Sequence, residues 1–214
     1  MLDEKWATAR IAQIEQLRPD MIVLAGDIVE GHDEPSQQWV PVLRQLSAPL
    51  GVWAVNGNHE GYGRDGSGGD LLAHSGIHVL RDEWAEAAPG LIVAGVDDLT
   101  SRQRRTGHYT EFIDEALSTR PVGATTIFIS HTPWNPEKAS VSGVRLMLAG
   151  HTHNGQIWPF NYVVGRIYPF IAGRYDVNGM PLIVCRGTGT WGPRMRLWQR
   201  GEIVKVTLRA GATS

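Results

Sequence analysis

Short, continuous apolar runs alternate along this chain with segments whose apolar residues follow helical spacing. Apolar runs bounded by glycine, proline or charged residues are typical of strands buried inside a sheet. The pattern predicts strands over residues 21–25, 52–55, 77–80, 91–96, 125–130, 145–149 and 181–185, and an alternating strand over 203–208.

The segments between these strands predict three helices and one loop. Residues 3–18 place their apolar side chains on one helical face, and Pro19 ends that helix. Further helices are expected at 37–46 and 109–119, whereas the glycine-rich span 61–69 is expected to be loop. Strands that alternate with helices in this way predict stacked layers of helix and sheet, an α/β fold.

Composition narrows the class of protein. A chain of 214 residues without repeat or linker suits a single domain over residues 1–214. The net charge of −2 gives no reason to expect nucleic acid or an anionic membrane as partner. No apolar run approaches the ~20 residues of a membrane helix, and the start M-L-D-E-K-W lacks the features of a signal peptide. As it stands, the chain is expected in the cytoplasm.

Polar side chains follow four of the predicted strands directly: Asp27, Asn58, His131 and His151. In open α/β sheets, ligands sit at the carboxyl ends of strands. His151 and His153 flank a single threonine, and two imidazoles so placed can converge on one cation. A polar loop that happens to hold two histidines would explain the tripeptide His151-Thr152-His153 equally well. The polar residues at four strand ends together favour a metal site.

Four motifs containing these residues occur in a fixed order: G-D-I-V-E (26–30), G-N-H-E (57–60), S-H-T-P (130–133) and G-H-T-H (150–153). Together they resemble the calcineurin-like metallophosphoesterases, over roughly residues 11–209. The form G-H-T-H-x-G-Q is similar to the branch with membrane-associated or secreted bacterial phosphoesterases. The resemblance implies a four-layer αββα sandwich of two mixed sheets flanked by helices, from which the first strand of the family is missing.

The resemblance also implies a binuclear metal site. Asp27 would bridge two ions, Asn58, His131 and His151 would complete the protein ligands of one ion, and His153 would bind the other. Imidazole and oxygen ligands suit divalent Mn, Fe, Zn or Co, and manganese or cobalt is expected to support activity better than magnesium.

Two residues beside the ligands are implied to act on the substrate. His59 would contact the phosphoryl group or protonate the leaving oxygen, and Glu60 would hold the imidazole of His59. The implied activity is hydrolysis of phosphodiesters, phosphomonoesters or both, by attack of a metal-bound hydroxide. The expected partner is a small-molecule phosphoester, while nucleic acid is not expected because no basic face is evident.

The sequence departs from the family pattern in its N-terminal region. The family opens with a strand ending in D-x-H, whose two side chains bind the ion that His153 serves, and this chain contains no D-x-H. Two interpretations stay open: an N-terminally shortened version of a longer protein, or one firm metal site beside a weak one. A longer N-terminus would allow membrane association or export, and an exposed sheet edge would allow a homo-oligomer.

The incomplete second site leaves an alternative of another class open. The chain could be a catalytically weak homologue that binds metal or a partner. Trp158 and Trp191 follow the motif loops, so either could pack on a substrate, although plain packing explains them as well.

Overall fold

The structure is a computed structural model that describes residues 4–29, 39–60, 67–101 and 110–209. Within these residues the strands form two sheets. The strands are β1 (Ile22–Leu24), β2 (Val52–Val55), β3 (His78–Leu80), β4 (Glu83–Ala88), β5 (Leu91–Val96), β6 (Thr125–Ser130), β7 (Leu146–Ala149), β8 (Gly173–Val177) and β9 (Met180–Val184).

Six α-helices and one 3₁₀ turn connect the described strands. The helices are α1 (Glu4–Gln16), α2 (Trp39–Leu43), α3 (Ser67–His74), α4 (Thr110–Leu117), α5 (Pro136–Val141) and α6 (Asn161–Ile167), and the 3₁₀ turn is His153–Gly155. None of the helices in the described ranges has the length and apolar character needed to cross a bilayer. Residues 3, 37–38 and 109, which were predicted to be helical, lie outside the described residues.

The two sheets differ in size and direction. The smaller sheet has the order β1-β2-β3 and is parallel throughout, while the larger has the order β4-β5-β6-β7-β9-β8 with antiparallel strands at both edges. The α/β class with two sheets flanked by helices is therefore confirmed. Two mixed sheets were expected, but the smaller sheet is purely parallel in the described residues. Among the described strands β1 forms an edge, and its pairing with a second copy stays a prediction.

Three apolar clusters define four layers. Helices α1 to α3 cover the outer face of the small sheet, where Ile11 and Leu72 pack with Val52. Helices α4 and α5 cover the outer face of the large sheet, around Phe128. The inner faces of both sheets meet through a third cluster that includes Val55. Because the sheets stack face to face, the carboxyl ends of their parallel strands open on one side of the molecule.

The structure corrects three expectations. Residues 203–208 form no strand, because a strand needs a neighbour for its ladder and none pairs with them in the described ranges. Residues 67–69 begin α3 instead of continuing a loop, whereas 61–66 lie outside the described residues. Strands β4 and β8 were missed. The signal for β8 was the Asn178-Gly179 turn, whose two positive φ angles suit a two-residue hairpin.

Candidate metal centre

The side chains predicted from the strand ends meet in one place. Asp27 and Asn58 follow β1 and β2 of the small sheet, while His131 and His151 follow β6 and β7 of the large sheet. Asp27, His131 and His151 each offer one ligand atom, and these atoms lie within 4.8 Å of one another. The candidate centre therefore bridges the two sheets at their common carboxyl edge.

Nε2 of His131 is the focus of the cluster. It lies 3.1 Å from Oδ2 of Asp27, 3.2 Å from Oδ1 of Asn58 and 3.0 Å from Nδ1 of His151. Nδ1 of His131 lies 2.6 Å from the carbonyl oxygen of Ala25. A carbonyl only accepts hydrogen bonds, so we place a proton on Nδ1, and the Nε2 lone pair of the neutral ring then faces three acceptors. Four lone pairs directed at one space repel each other unless a cation lies between them.

The ionisation of the cluster reflects the same arrangement. Burial alone raises the pKa of Asp27, but the imidazoles of His131 and His59 outweigh it and hold that pKa well below its usual range. Burial lowers the pKa of His131, yet Asp27 outweighs burial and raises this pKa to about 9. Burial and the neighbouring His131 lower the pKa of His151 to about 4. Asp27 and His131 thus each favour the charged form of the other.

The backbone around the ligands is adapted to a close approach of two loops. Gly26 has φ +84°, and a Cβ atom there would lie 2.5 Å from Nδ1 of His131. A Cβ on Gly57 would lie 2.2 Å from Oδ1 of Asp27. Asp27 and His151 themselves adopt left-handed φ angles of 54° and 68°, a conformation that costs non-glycine residues free energy and persists where surrounding contacts enforce it.

Glu60 ties these loops together. It is 2% exposed, and its Oε2 accepts hydrogen bonds from the amides of Asp27 at 2.8 Å and Gly57 at 2.7 Å. Its Oε1 accepts from the amides of Ile28 at 2.6 Å and Val29 at 3.0 Å. Four donors fill the acceptor capacity of one carboxylate. The described contacts of Glu60 are thus with the backbone of the ligand loop, and its action on the imidazole of His59 stays a prediction.

His59 lies at the mouth of the centre. Its amide donates to Oδ1 of Asp27 at 2.9 Å, and its Nε2 lies 3.9 Å from Oδ2 of the same carboxylate. The side chain is 25% exposed. The imidazole thus approaches the cluster from the solvent side, and its action on a substrate stays a prediction.

His153 has surroundings that differ from those of the other ligands. Its Nδ1 lies 3.2 Å from Nη2 of Arg196, which also donates to the carbonyl of Arg186 at 2.8 Å. Burial and the charge of Arg196 lower the pKa of His153 to about 4. An imidazole that accepts from arginine at Nδ1 carries its proton on Nε2, so neither nitrogen then offers a lone pair to a metal. The role of His153 as ligand of a second ion stays a prediction.

Sequence reasoning missed two residues at this centre. The hydroxyl of Tyr168 lies 2.8 Å from Nε2 of His151, and Arg196 contacts His153. Arg196 begins the segment R-L-W-Q-R (196–200), which carries no motif that would place it beside His153. Tyr168 follows α6 and carries no local pattern, since only the fold brings it to His151.

Comparisons with known proteins point to one family. The model of a family described as calcineurin-like phosphoesterase matches residues 4–155. An uncharacterized metallophosphoesterase of Aquifex aeolicus is 36% identical over 199 residues, which cover 91% of this chain and 75% of that protein. The transmembrane protein with metallophosphoesterase domain of Bos taurus is 32% identical over 220 residues, which cover 94% of this chain.

The lengths of the matched proteins differ. The chain spans 75% of the Aquifex aeolicus protein but 48% of the Bos taurus protein. One solved crystal structure superposes with a TM-score of 0.51 at 15% identity, over 85% of this chain and 86% of that one. At that identity the likeness shows the fold alone.

Proposed function

Because the chain belongs to the calcineurin-like phosphoesterase family, we propose that it hydrolyses small phosphodiesters, phosphomonoesters or both in a metal-dependent reaction. The observation that carries the proposal is the convergence of Asp27, Asn58 and His151 on Nε2 of His131. Such a set of lone pairs is stable only around positive charge.

The donor set fits a divalent transition metal. One carboxylate, one amide oxygen and two neutral imidazoles suit Mn, Fe, Zn or Co. The protein fixes which nitrogen is free, since His131 donates its Nδ1 proton to the carbonyl of Ala25. Divalent ions, when bound in phosphoesterases, stabilise charge on the phosphoryl oxygens and lower the pKa of bound water.

We assign His59 to the substrate. Its backbone is anchored on Asp27, and its partly exposed imidazole faces the cluster from solvent. An imidazole in that position can donate a hydrogen bond to a phosphoryl oxygen or protonate a departing alkoxide.

Metal removal tests the proposal. Protein stripped by a chelator, and checked by elemental analysis, is assayed on bis-para-nitrophenyl phosphate and para-nitrophenyl phosphate before and after ions are added. Activity is expected only with added metal, and more with Mn²⁺ or Co²⁺ than with Mg²⁺, because imidazole ligands disfavour Mg²⁺. His131→Ala should stay inactive, while His74→Ala, at an exposed position, should behave as wild type. Equal hydrolysis by metal-free protein would overturn the proposal.

A second candidate is a catalytically weak homologue with one firm metal site. The contact between Nη2 of Arg196 and Nδ1 of His153 at 3.2 Å favours it, because the arginine competes with a cation for that side of the centre. Calorimetric titration should then show one tight and one weak binding step, and Arg196→Ala should strengthen the weak step. Two binding steps of equal affinity in the wild-type protein would exclude one firm and one weak metal site. If metal-loaded protein hydrolyses neither ester, the result would favour the catalytically weak homologue.

A further inference from the structure

An apolar surface lies beside the candidate metal centre. Three of the eight tryptophans of the chain are exposed there. We call this surface the aromatic face, defined by residues with exposed fractions between 44% and 75%: Trp158, Phe160, Tyr162, Ile167, Trp191 and Trp198.

The aromatic face is built from two chain segments that are firmly joined. Ile157 and Leu197 form a parallel β-bridge, and the rings of Trp158 and Trp198 lie 4.9 Å apart. The buried side chain of Gln156 bonds both backbone groups of Trp191, accepting from its amide at 2.9 Å and donating to its carbonyl at 2.8 Å. These contacts hold the exposed rings in a defined arrangement.

Helix α6 is turned with its apolar side outward. None of its residues is buried, and Tyr162, Val163 and Ile167 are 68%, 50% and 58% exposed. Val164 is half-buried instead. A helix on a water-facing surface normally shows its polar residues to solvent, so the outward side of α6 is suited to an apolar environment.

The charge around the aromatic face is strongly positive. Residues 156–200 contain six arginines and one acidic residue, Asp176, in a chain whose net charge is −2. Arg186 is paired with Glu202, so the excess rests on the other arginines. Arg166, Arg194 and Arg200 lie exposed among the aromatic residues. The whole-chain charge gave no reason to expect an anionic membrane, but this local excess does.

We propose that the aromatic face docks on the surface of an anionic lipid bilayer. Tryptophan and tyrosine rings settle at the level of the lipid headgroups, and neighbouring arginines are attracted to anionic lipid. Amphipathic elements of this composition lie in the plane of the interface. A two-fold pairing of two copies through the same face would set arginine against arginine, which disfavours self-association.

Vesicle flotation of the full chain tests the proposal. Binding to vesicles of phosphatidylcholine with phosphatidylglycerol is expected to exceed binding to phosphatidylcholine alone and to fall as salt is added. Ile167→Gln and Trp198→Gln should each lower partitioning about tenfold, because each exchanges a large apolar contact for a polar one. Arg166→Gln should lower it about fivefold on anionic vesicles and leave neutral vesicles unaffected.

Matched controls replace an exposed apolar residue by glutamine outside the aromatic face. Val122→Gln and Val141→Gln alter residues that are 105% and 76% exposed outside the aromatic face, and both should bind vesicles as wild type. Circular dichroism and metal content should be unchanged in every variant. Equal binding to neutral and anionic vesicles, or undiminished binding by Trp198→Gln, would overturn the proposal. If the protein does not bind vesicles but self-associates in sedimentation, and Trp198→Gln abolishes this self-association, the aromatic face is a contact between two copies of the chain and the proposal is wrong.

Discussion

His151 shows at the scale of one residue how the protein prepares a ligand. Its Nδ1 faces the cluster, 3.0 Å from Nε2 of His131, while its Nε2 lies 2.8 Å from the hydroxyl of Tyr168. A proton on Nε2 that is donated to Tyr168 leaves the Nδ1 lone pair directed at the centre. Second partners of this kind orient metal-binding imidazoles and raise their basicity.

Tyr168→Phe should therefore weaken metal binding without unfolding the protein. Loss of such a partner typically costs about 10–100-fold in metal affinity, and the ring that packs on Trp134 is kept. Competition of the protein with a metal-sensing chelator gives the affinity, and Tyr162→Phe on the exposed side of α6 is the matched control. Unchanged affinity in Tyr168→Phe would show that the hydroxyl does not orient His151.

His59→Ala should lower turnover far more than metal content. Asn58 faces the cluster whereas the imidazole of His59 approaches it from solvent, so removing that imidazole should spare the ligands. General acid catalysis is typically worth about 10²–10⁴-fold, and the loss should be larger for alkyl than for nitrophenyl esters, whose leaving group departs without a proton.

The comparison variant for this test is His151→Ala, which should lose metal and activity alike with either ester. Both variants are assayed on both ester types, with metal content measured on the same samples. Loss of metal from His59→Ala, or equal losses on the two esters, would contradict the acid role.

At the scale of elements, the loop after β1 and the turn after β2 act as one unit because Glu60 joins them. Four backbone amides point at one buried carboxylate, and burial, with the nearby charge of Asp27, raises the pKa of Glu60. The cost of burying this group is offset by hydrogen bonds to its charged form.

Glu60→Gln should destabilise the fold, because an amide NH₂ would face two backbone donors. Lost hydrogen bonds to a charged group and unsatisfied buried donors together cost about 3 kcal/mol. Urea unfolding measures the change in the free energy of unfolding, and Glu83→Gln, at an exposed position of β4, serves as control. A shift below about 1 kcal/mol would mean that Glu60 contributes little to joining the loops.

At the scale of the whole molecule, the centre links two sheets whose inner faces pack through an apolar cluster that includes Val55. Asp27 and Asn58 belong to the small sheet, and His131 and His151 to the large one. A ligand that binds the folded state alone stabilises it in proportion to the logarithm of its concentration. Metal should therefore act on global stability as well as on activity.

Saturating Mn²⁺ should raise the free energy of unfolding by about 2.7 kcal/mol at a hundredfold excess over its dissociation constant. Thermal melts with and without chelator measure the effect. His131→Ala should abolish the gain, whereas His74→Ala should retain it. Melting temperatures that do not respond to metal in the wild-type protein would argue against a site shared by both sheets.

Local sequence patterns were sufficient to predict the strands that carry the site and the order of its ligands. Apolar runs ending in Asp27, Asn58, His131 and His151 predicted β1, β2, β6 and β7 closely, because buried parallel strands leave a clear local signature. Convergence within each sheet also followed, since parallel strands end at a common edge, whereas the meeting of the two pairs depended on how the sheets are stacked.

The surroundings of those ligands depended on the way the chain folds. The bonds of Glu60, the contact of Tyr168 with His151 and the position of Arg196 beside His153 join residues far apart in sequence. Likewise, alternation over 203–208 predicted a strand, but no described strand pairs with these residues. The net charge of the whole chain also gave no indication of the arginines that lie around the aromatic face. Local patterns report the conformation and burial of a segment, whereas partners across the fold depend on how the two sheets are stacked.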